Sequence, residues 1–339
     1  MSRTRRASGR NLATRLATAA LALAAACDTP MQIFSSASDS AARITRLTWF
    51  MVILAALVYA IVMAAMIIAM RRNRQRSAVE VDMSDPGVRP IVIGGAILPA
   101  LVLGAVFVVA ETALGKYPEP NAALTVRVTG HQWWWELEYA MPQLSEHFKS
   151  ANEIHVPVGK PVQLILTSAD VIHSFWVPRL QGKIDLIPGD TNDLRLLART
   201  PGTYRGTCEE FCGAQHANMG IVVVADDSAT FARWLRTQLT PPPPPSDSTI
   251  ALGQRLVVGG PCALCHTIAG TPALGGVGPD LTHVGSRSTI AAGTLPNTAE
   301  HRQAWILNPQ APKPGNQMPA TPLDDASLTA LVAYLGSLR

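Results

Sequence analysis

The chain has 339 residues, of which 48% are hydrophobic, and a formal net charge of +4. This length predicts two or three domains, and the hydrophobic share predicts that part of the chain lies in lipid. Residues 1–27 hold five basic and no acidic residues, which leaves 23 basic against 24 acidic residues in the remainder. The charge balance therefore gives no indication of a nucleic-acid partner.

Residues 1–27 are predicted to form a signal sequence. Arginines come first, an apolar run follows from Leu16, and small residues stand at 24–26. Cys27 follows Leu-Ala-Ala-Ala, which resembles the cleavage site of bacterial lipoproteins, although Ala24 occupies a position where leucine is usual. Lipidation of Cys27 and a plain signal-peptidase site nearby are both open interpretations.

Residues 40–115 are predicted to form a transmembrane hairpin. Trp49–Met70 and Ile91–Ala110 are 22 and 20 residues without a charge, and each is long enough to cross about 30 Å of hydrocarbon. Neither has the polar stripe expected of a helix in a soluble core. The loop between them has more arginine than acidic residues, which predicts a cytoplasmic loop and places everything after residue 111 on the opposite side.

The next segment, residues 116–240, is predicted to be an all-β domain. Short β-type runs broken by Gly and Pro extend from Ala122 to Ala225, a pattern typical of a sandwich or barrel. An amphipathic helix follows, with Phe231, Trp234 and Leu235 on one face. Five consecutive prolines then predict an extended linker over residues 241–247.

The segment CEEFCGAQHANM, residues 208–219, contains two cysteines, a histidine and a methionine. A disulfide between Cys208 and Cys212 and a zinc half-site are the simplest interpretations. However, a loop between two strands that carries Cys, His and Met is typical of copper electron-transfer sites, and zinc does not use methionine. A second cysteine suggests a second copper bridged by both thiolates, with another imidazole from upstream, which His173 could supply.

Three motifs occur in order: GHQWWW (130–135), HSFWVP (173–178) and the loop above. With the hairpin, they make residues 40–225 resemble subunit II of haem–copper cytochrome c oxidases. The resemblance implies a cupredoxin fold that holds the binuclear copper-A centre. It assigns copper to the side chains of His173, Cys208, Cys212, His216 and Met219 and to the backbone carbonyl of Glu210.

The resemblance assigns two further roles and leaves one position in question. The Glu210 carboxylate matches a ligand to a magnesium or manganese ion shared with the catalytic subunit, and Trp133 matches the exposed tryptophan at which electrons enter. The family often has a glutamate for proton uptake near the start of the second span, where this chain has Val92.

His147 and His155 are predicted to be surface residues. Asp170 and Asp185 are predicted to be either acids that dock the electron donor or solvated turn residues.

Residues 248–339 are predicted to be a mainly helical domain. Helices are expected near Ser248–Val258 and Thr298–Leu307, with a final one from Asp324 or Asp325. The motif CALCH is the attachment signature of a c-type haem, with Cys262 and Cys265 as thioethers and His266 as an iron ligand. A CxxC disulfide or thioredoxin-like motif is the alternative, but no βαβ pattern accompanies it.

The second iron ligand is predicted to be Met318, the only methionine after Met219. His283 and His301 are the alternatives. His/Met ligation suits electron transfer. This domain resembles class I cytochromes c throughout its length, which implies an all-α cytochrome fold.

Together these features predict a multidomain membrane protein that acts as the electron-accepting subunit of a respiratory oxidase. An external donor, such as a soluble or membrane-bound cytochrome, would reduce the haem c. Copper-A would pass the electrons to subunit I, which reduces oxygen and pumps protons; subunit III is a further expected partner. The expected location is the bacterial inner membrane, with the copper and haem domains on the periplasmic side. A membrane-tethered shuttle without an oxidase, a nitrous oxide reductase domain and a quinol oxidase subunit are the alternatives.

Overall fold

The computed structural model describes residues 31–72, 88–114, 122, 124–141 and 146–339. Two compact units are distinguished, one within Asp39–Pro120 and one formed by the residues up to Ser38 together with Asn121–Arg339. The predicted signal sequence with Cys27, and most of the arginine-rich loop, lie outside the described residues.

The first unit is a pair of long apolar helical segments. Helix α1 is Asp39–Arg72; the second segment consists of α2 (Val88–Val92), a π-helical turn (Ile93–Ile97) and α3 (Leu98–Leu114). Their mean hydropathies are 2.9 and 2.6, and by length and composition each could cross a membrane. In the π-helical turn the backbone N–H of Leu98 reaches back to the Ile93 carbonyl, which widens the helix just before Pro99, a residue without an N–H to donate.

The second unit begins with a β-sandwich of ten strands, the cupredoxin domain. The strands are β1 (Leu124–His131), β2 (Trp134–Met141), β3 (Glu146–Ala151), β4 (Glu153–Pro157), β5 (Val162–Ser168), β6 (His173–Trp176), β7 (Ile184–Leu186), β8 (Asn192–Leu196), β9 (Gly202–Cys208) and β10 (Gly220–Asp226). One sheet has the order β3-β2-β1-β5-β8 and the other β4-β10-β9-β6-β7. β1 is parallel to β5 and β10 to β4; the other neighbours are antiparallel.

The core of the sandwich lies between the two sheets. Residues of β1 and β5 alternate between buried and more exposed positions, because successive side chains of a strand point to opposite faces. Trp135, Leu164 and Phe175, which lie on β2, β5 and β6, are among the completely buried side chains of this core. Helix α4 (Ser228–Gln238) begins at Asp227, whose carboxylate accepts the Ala229 and Thr230 backbone N–H groups.

A buried ionic cluster lies at the edge of the second sheet. His155 stacks on Trp234 with ring centroids 4.3 Å apart, and its Nδ1 lies 2.7 Å from an Asp226 carboxylate oxygen. The prediction that His155 is a surface residue is wrong: only 15% of its side chain is exposed. His147, by contrast, is exposed. Burial alone would lower the pKa of His155, but hydrogen bonds with Asp226 and Glu153 outweigh burial and raise it.

This cluster predicts a pH dependence of stability. The folded pKa of His155 lies above the ordinary value of 6.5. The stabilisation that the protonated imidazole gives to the folded protein is therefore complete below pH 6.5 and is lost as the pH rises through the folded pKa. We expect His155→Gln to remove this fall in the free energy of unfolding. Denaturant unfolding at pH values from about 5 to about 9 checks it. His147→Gln should keep the wild-type slope; an unchanged slope in His155→Gln would contradict the assignment.

The C-terminal cytochrome domain is built on four helices: α5 (Ser248–Val258), α6 (Cys262–Cys265), α7 (Ala299–Leu307) and α8 (Asp325–Ser337). A two-stranded ribbon is formed by β11 (Thr289–Ile290) and β12 (Leu295–Pro296). Asp247 and Asp324 cap α5 and α8 with their carboxylates. Helices α5 and α8 cross in close contact at Gly253, where a Cβ atom would lie 2.1 Å from the Ala330 carbonyl oxygen.

Candidate metal centre and haem cavity

The candidate metal centre lies at one end of the cupredoxin sandwich. β9 ends at Cys208, the loop 209–219 follows, and β10 begins at Gly220. The Cys208 backbone N–H bonds the Met219 carbonyl at 3.0 Å and closes this loop. β6 runs beside β9 with Phe175 opposite Cys208, so His173, at the start of β6, reaches the same end of the sheet.

The sulfur and nitrogen atoms of this centre converge. The Sγ atoms of Cys208 and Cys212 are 3.8 Å apart, too far for the ~2.05 Å bond of a disulfide. His173 Nδ1 lies 3.9 Å from the first sulfur, and His216 Nδ1 lies 3.6 Å from the second. Met219 Sδ is 3.8 Å from Cys212 Sγ. The donor set of two thiolates, two imidazoles and a thioether suits copper.

Glu210 contributes its backbone to this centre. Its carbonyl oxygen lies 3.3 Å from Cys208 Sγ, and the residue is exposed. The hydrogen bond with Cys212 outweighs burial and lowers the pKa of the Cys208 thiol, which favours the thiolate that a metal binds.

Asp170 orients His173 from outside the centre. Its carboxylate lies 2.8 Å from His173 Nε2, and it also accepts the backbone N–H groups of Gln132 and Val171, each at 2.7 Å. Burial opposes ionisation of Asp170, but these hydrogen bonds lower its pKa overall. With Nε2 committed to the carboxylate, Nδ1 is left for the metal. Gly130 leaves room for the ring: a Cβ there would lie 2.7 Å from His173 Cδ2.

Trp133 is tied to the backbone of the metal-binding loop. Its indole Nε1–H donates to the Cys212 carbonyl at 3.0 Å, and the Gln132 amide donates to the same oxygen at 2.7 Å. The other two tryptophans of the motif have different environments. Trp134 stacks on His131, whereas Trp135 is completely buried against His173 and Phe175.

A large cavity lies between the cytochrome domain and the Trp133 region. It contains ≈ 1210 Å³ of space not filled by protein atoms, part of it open to solvent. From the cytochrome domain, Cys265, His266 and Met318 line it, with Leu281, Val284, Arg287, Arg302, Trp305 and Ile306 among the others. Gln132, Trp133 and Trp134 of the cupredoxin domain line it as well.

The cavity fits a haem in the chemistry of its walls. His266 Nδ1 donates to the Pro279 carbonyl at 2.7 Å, which leaves Nε2 as a lone-pair donor. Burial lowers the pKa of His266, so the imidazole is neutral, as an iron ligand requires. The buried Nε atoms of Arg287 and Arg302 have no hydrogen-bond partner among the described residues, and these two cationic side chains suit the carboxylates of a haem.

The position of Met318 is set by its own loop. Its backbone N–H donates to the Asn316 side-chain oxygen at 2.9 Å, and its carbonyl accepts the Gln310 amide at 3.3 Å. Among the described residues that line the cavity, neither His283 nor His301 is present. His283 is buried elsewhere in the domain, and His301 Nδ1 pairs with Thr298 Oγ1 at 2.9 Å.

The two domains of this unit share a polar interface that the sequence patterns do not indicate. The Ser288 backbone N–H and hydroxyl both donate to the Glu153 carboxylate, the former at 2.8 Å. The Gly220 backbone N–H donates to the Ala292 carbonyl at 2.9 Å. Lys313 is only 3% exposed, and its Nζ donates to the Trp133 and Ala291 carbonyls at 2.7 and 3.1 Å. Burial lowers the pKa of Lys313 to about 7.

The site residues missed from the sequence are therefore Gln132, Lys313 and Glu153. Asp170, predicted to be either a donor-docking acid or a solvated turn residue, is instead the hydrogen-bond partner of His173. Its position three residues before His173 was the one available signal for this role, because metal-bound histidines usually donate their second nitrogen to a carboxylate or carbonyl.

Comparison with known proteins identifies both domains. Residues 141–226 match the family model of the cytochrome c oxidase subunit II periplasmic domain, and residues 250–339 match that of cytochrome c. The cytochrome c oxidase subunit 2 of Alkalihalophilus pseudofirmus is 34% identical over 299 residues, which cover 85% of each chain. That of Artemia franciscana is 35% identical over 162 residues, 42% of this chain and 71% of that protein.

Among solved structures, the periplasmic domain of CoxB, subunit II of cytochrome oxidase from Bradyrhizobium japonicum, is 36% identical with a TM-score of 0.33. It is matched over 35% of this chain and 95% of its own length. The family matches imply copper-A in the first domain and haem in the second. They also imply assembly with subunit I of a haem–copper oxidase. The chain thus belongs to the cytochrome c oxidase subunit II family and carries a cytochrome c domain at its C-terminal end.

Proposed function

We propose that this chain passes electrons from an external donor, through its own haem c and binuclear copper-A, to subunit I, where oxygen is reduced to water and protons are translocated. The observation that supports this path best is the position of Trp133. It lines the cavity that contains His266 and Met318, and its indole N–H donates to the carbonyl of Cys212 in the metal-binding loop.

In this proposal, copper is held by the side chains of His173, Cys208, Cys212, His216 and Met219 and by the Glu210 carbonyl. The Cys208 and Cys212 thiolates would hold a pair of coppers, and sharing one electron between two metals would keep the reorganisation on electron transfer small. The protein keeps the geometry fixed: Met219 and His173 are completely buried. The exposed Glu210 carboxylate is free to bind a magnesium or manganese ion shared with subunit I.

For the haem, we assign the covalent attachment to Cys262 and Cys265 and the axial ligation to His266 and Met318. The cysteines lie in the single turn of α6, and the His266 backbone N–H donates to the Cys262 carbonyl at 2.9 Å. Cys265 and His266 line the cavity, and Cys262 begins the same helical turn. Methionine ligation favours a high reduction potential, as electron transfer to copper requires.

We further propose that the protein resides in the bacterial inner membrane with both soluble domains in the periplasm, exported by residues 1–27. A cytochrome or similar reductant is the proposed donor, and subunit III is a further partner. Proton uptake is assigned to the partner subunit or to an acid of the loop, because Val92 occupies the position where the family often has glutamate.

Purification from native membranes tests the oxidase role against the alternative of a tethered shuttle. We expect the full-length chain, extracted in mild detergent, to copurify with a larger subunit that contains haem and consumes oxygen when a cytochrome donor is added. The oxygen consumption should be inhibited by cyanide. A chain that carries copper and haem but purifies without any oxygen-consuming partner would favour the shuttle.

Asp170→Asn tests how the chain orients His173. The amide cannot hold the imidazole as the carboxylate does, so we expect the copper affinity to fall by about 10- to 100-fold. Competition with a copper chelator measures it. Asp185→Asn is the matched control, because Asp185 lies on β7 and has no assigned role at the centre; its affinity should equal that of the wild type. An unchanged affinity in Asp170→Asn would contradict the orienting role.

A further inference from the structure

We propose that Lys313 is a positioning residue that fixes the cytochrome domain on the copper-binding loop and thereby keeps Trp133 in the wall of the haem cavity. The proposal rests on two observations. Lys313 lies in the cytochrome domain, and its side chain bonds one backbone carbonyl in each domain. The role of Lys313 in holding the two domains together does not depend on the proposed electron path. The expected effect on the electron-transfer rate does rest on that path.

Lys313 carries an ionisable group that is buried without a charged partner in the described part of the chain. Lys313 is only 3% exposed, and it takes part in none of the ion pairs recorded within the described ranges. Burying an ammonium group costs free energy unless hydrogen bonds compensate. Its Nζ instead lies between the carbonyls of Trp133 and Ala291, at 2.7 and 3.1 Å. Well-packed apolar residues often replace buried ionic groups without loss of stability, which favours a positional role for Lys313.

The turn that carries Lys313 is held together by hydrogen bonds of its own. The Lys313 carbonyl accepts the backbone N–H of Asn316 at 3.2 Å and its side-chain amide at 2.7 Å. The same Asn316 side chain accepts the Met318 backbone N–H. A short chain of hydrogen bonds therefore connects the backbone of Met318, on one side of the cavity, with the backbone of Trp133 on the other.

The metal-binding loop also bonds directly to the turn that carries Lys313. Gln215, which lies between Cys212 and His216, donates its amide N–H to the Pro314 carbonyl at 2.6 Å. Trp133, in turn, donates its indole N–H to the Cys212 carbonyl. The turn formed by residues 309–316 is thus bonded to the metal-binding loop directly, through Pro314, and indirectly, through Lys313 and Trp133. Lys313 and Pro314, adjacent in sequence, make these two connections.

The test compares Lys313→Met with the wild type in full-length protein that contains copper and haem. Methionine keeps most of the side-chain length and removes the donors and the charge. We expect amide hydrogen exchange at Gly220 and Ser288, the two interface N–H groups, to become at least tenfold faster. The electron-transfer rate from photoreduced haem to copper should fall at least tenfold, while the copper spectrum and the thermal stability of the protein are retained.

Two further variants make the result decisive. Lys160→Met removes the same charge from an exposed site and should leave exchange and rate unchanged. Lys313→Arg keeps the hydrogen-bond donors and the charge. It should restore a large part of the slow amide exchange and of the electron-transfer rate. Unchanged exchange in Lys313→Met would overturn the proposal, as would general destabilisation of the cytochrome domain or an equal effect of Lys160→Met. If the wild type binds no copper, the proposed function fails, but the exchange measurement still decides the role of Lys313.

Discussion

Replacing Cys212 with serine is expected to abolish the two-copper centre while leaving the fold and the haem intact. Cys212 is buried, and its Sγ lies within 4 Å of three other donor atoms: those of Cys208, His216 and Met219. In the proposed centre, its loss would remove a thiolate shared by both coppers rather than a peripheral contact. A serine hydroxyl is not ionised near neutral pH and is a harder donor, so we expect copper to fall from about two to about one ion per chain or fewer.

The measurement is copper content together with the EPR spectrum of the oxidised protein. A shared electron gives hyperfine lines from two equivalent copper nuclei, whereas Cys212→Ser should show one nucleus or none. Cys265→Ser is the reciprocal control: it removes a haem thioether and should leave the copper signal intact. A Cys212→Ser protein that retains two equivalent coppers would show that the second thiolate does not bridge.

Replacing Gly253 with valine is expected to unfold the cytochrome domain. Helices α5 and α8 cross at this glycine, and a Cβ atom there would lie 2.1 Å from the Ala330 carbonyl oxygen and 2.7 Å from Tyr334 Cβ. Because most of this obstruction is backbone, side-chain rotation cannot relieve it and the helices must move apart. Overpacking of this kind costs about 1–3 kcal/mol or more, and α8 supplies much of the buried core of the domain.

Haem content and thermal unfolding of the full-length protein measure this effect. Arg255→Val is the matched control, because it places the same β-branched residue at an exposed position of the same helix. It should cost only about 0.5 kcal/mol in helix propensity. Comparable losses of haem and of thermal stability in the two variants would mean that helix propensity, and not the close crossing of the helices, explains the effect of Gly253→Val.

The convergence of the candidate ligand residues could be predicted from their spacing in the sequence. Cys208, Cys212, His216 and Met219 lie on one short loop, so their convergence needs only a tight connection between two strands. His173 required the resemblance, since 35 residues separate it from Cys208. Helices followed from periodicity and capping residues: α5 begins and ends at the predicted residues, Ser248 and Val258.

The contacts between the domains could not be predicted, because they depend on tertiary docking. Lys313 stands in a Pro- and Gly-rich turn, a context in which a lysine is normally solvated, but here it is buried and bonded to the Trp133 and Ala291 carbonyls. His155 was misassigned for a similar reason. It lies on the short strand β4, and it is covered by Trp234, which lies 79 positions later on helix α4. The π-helical turn before Pro99 likewise depends on local backbone geometry that hydropathy does not record.

Metal and haem analysis with EPR on the full-length chain, purified from membranes after haem maturation, tests the central claim most directly. The account predicts about two copper ions and about one covalently bound haem per chain, and hyperfine structure from one electron shared equally by two coppers. Absence of copper after reconstitution, or a disulfide between Cys208 and Cys212 in the metal-loaded native protein, would contradict it.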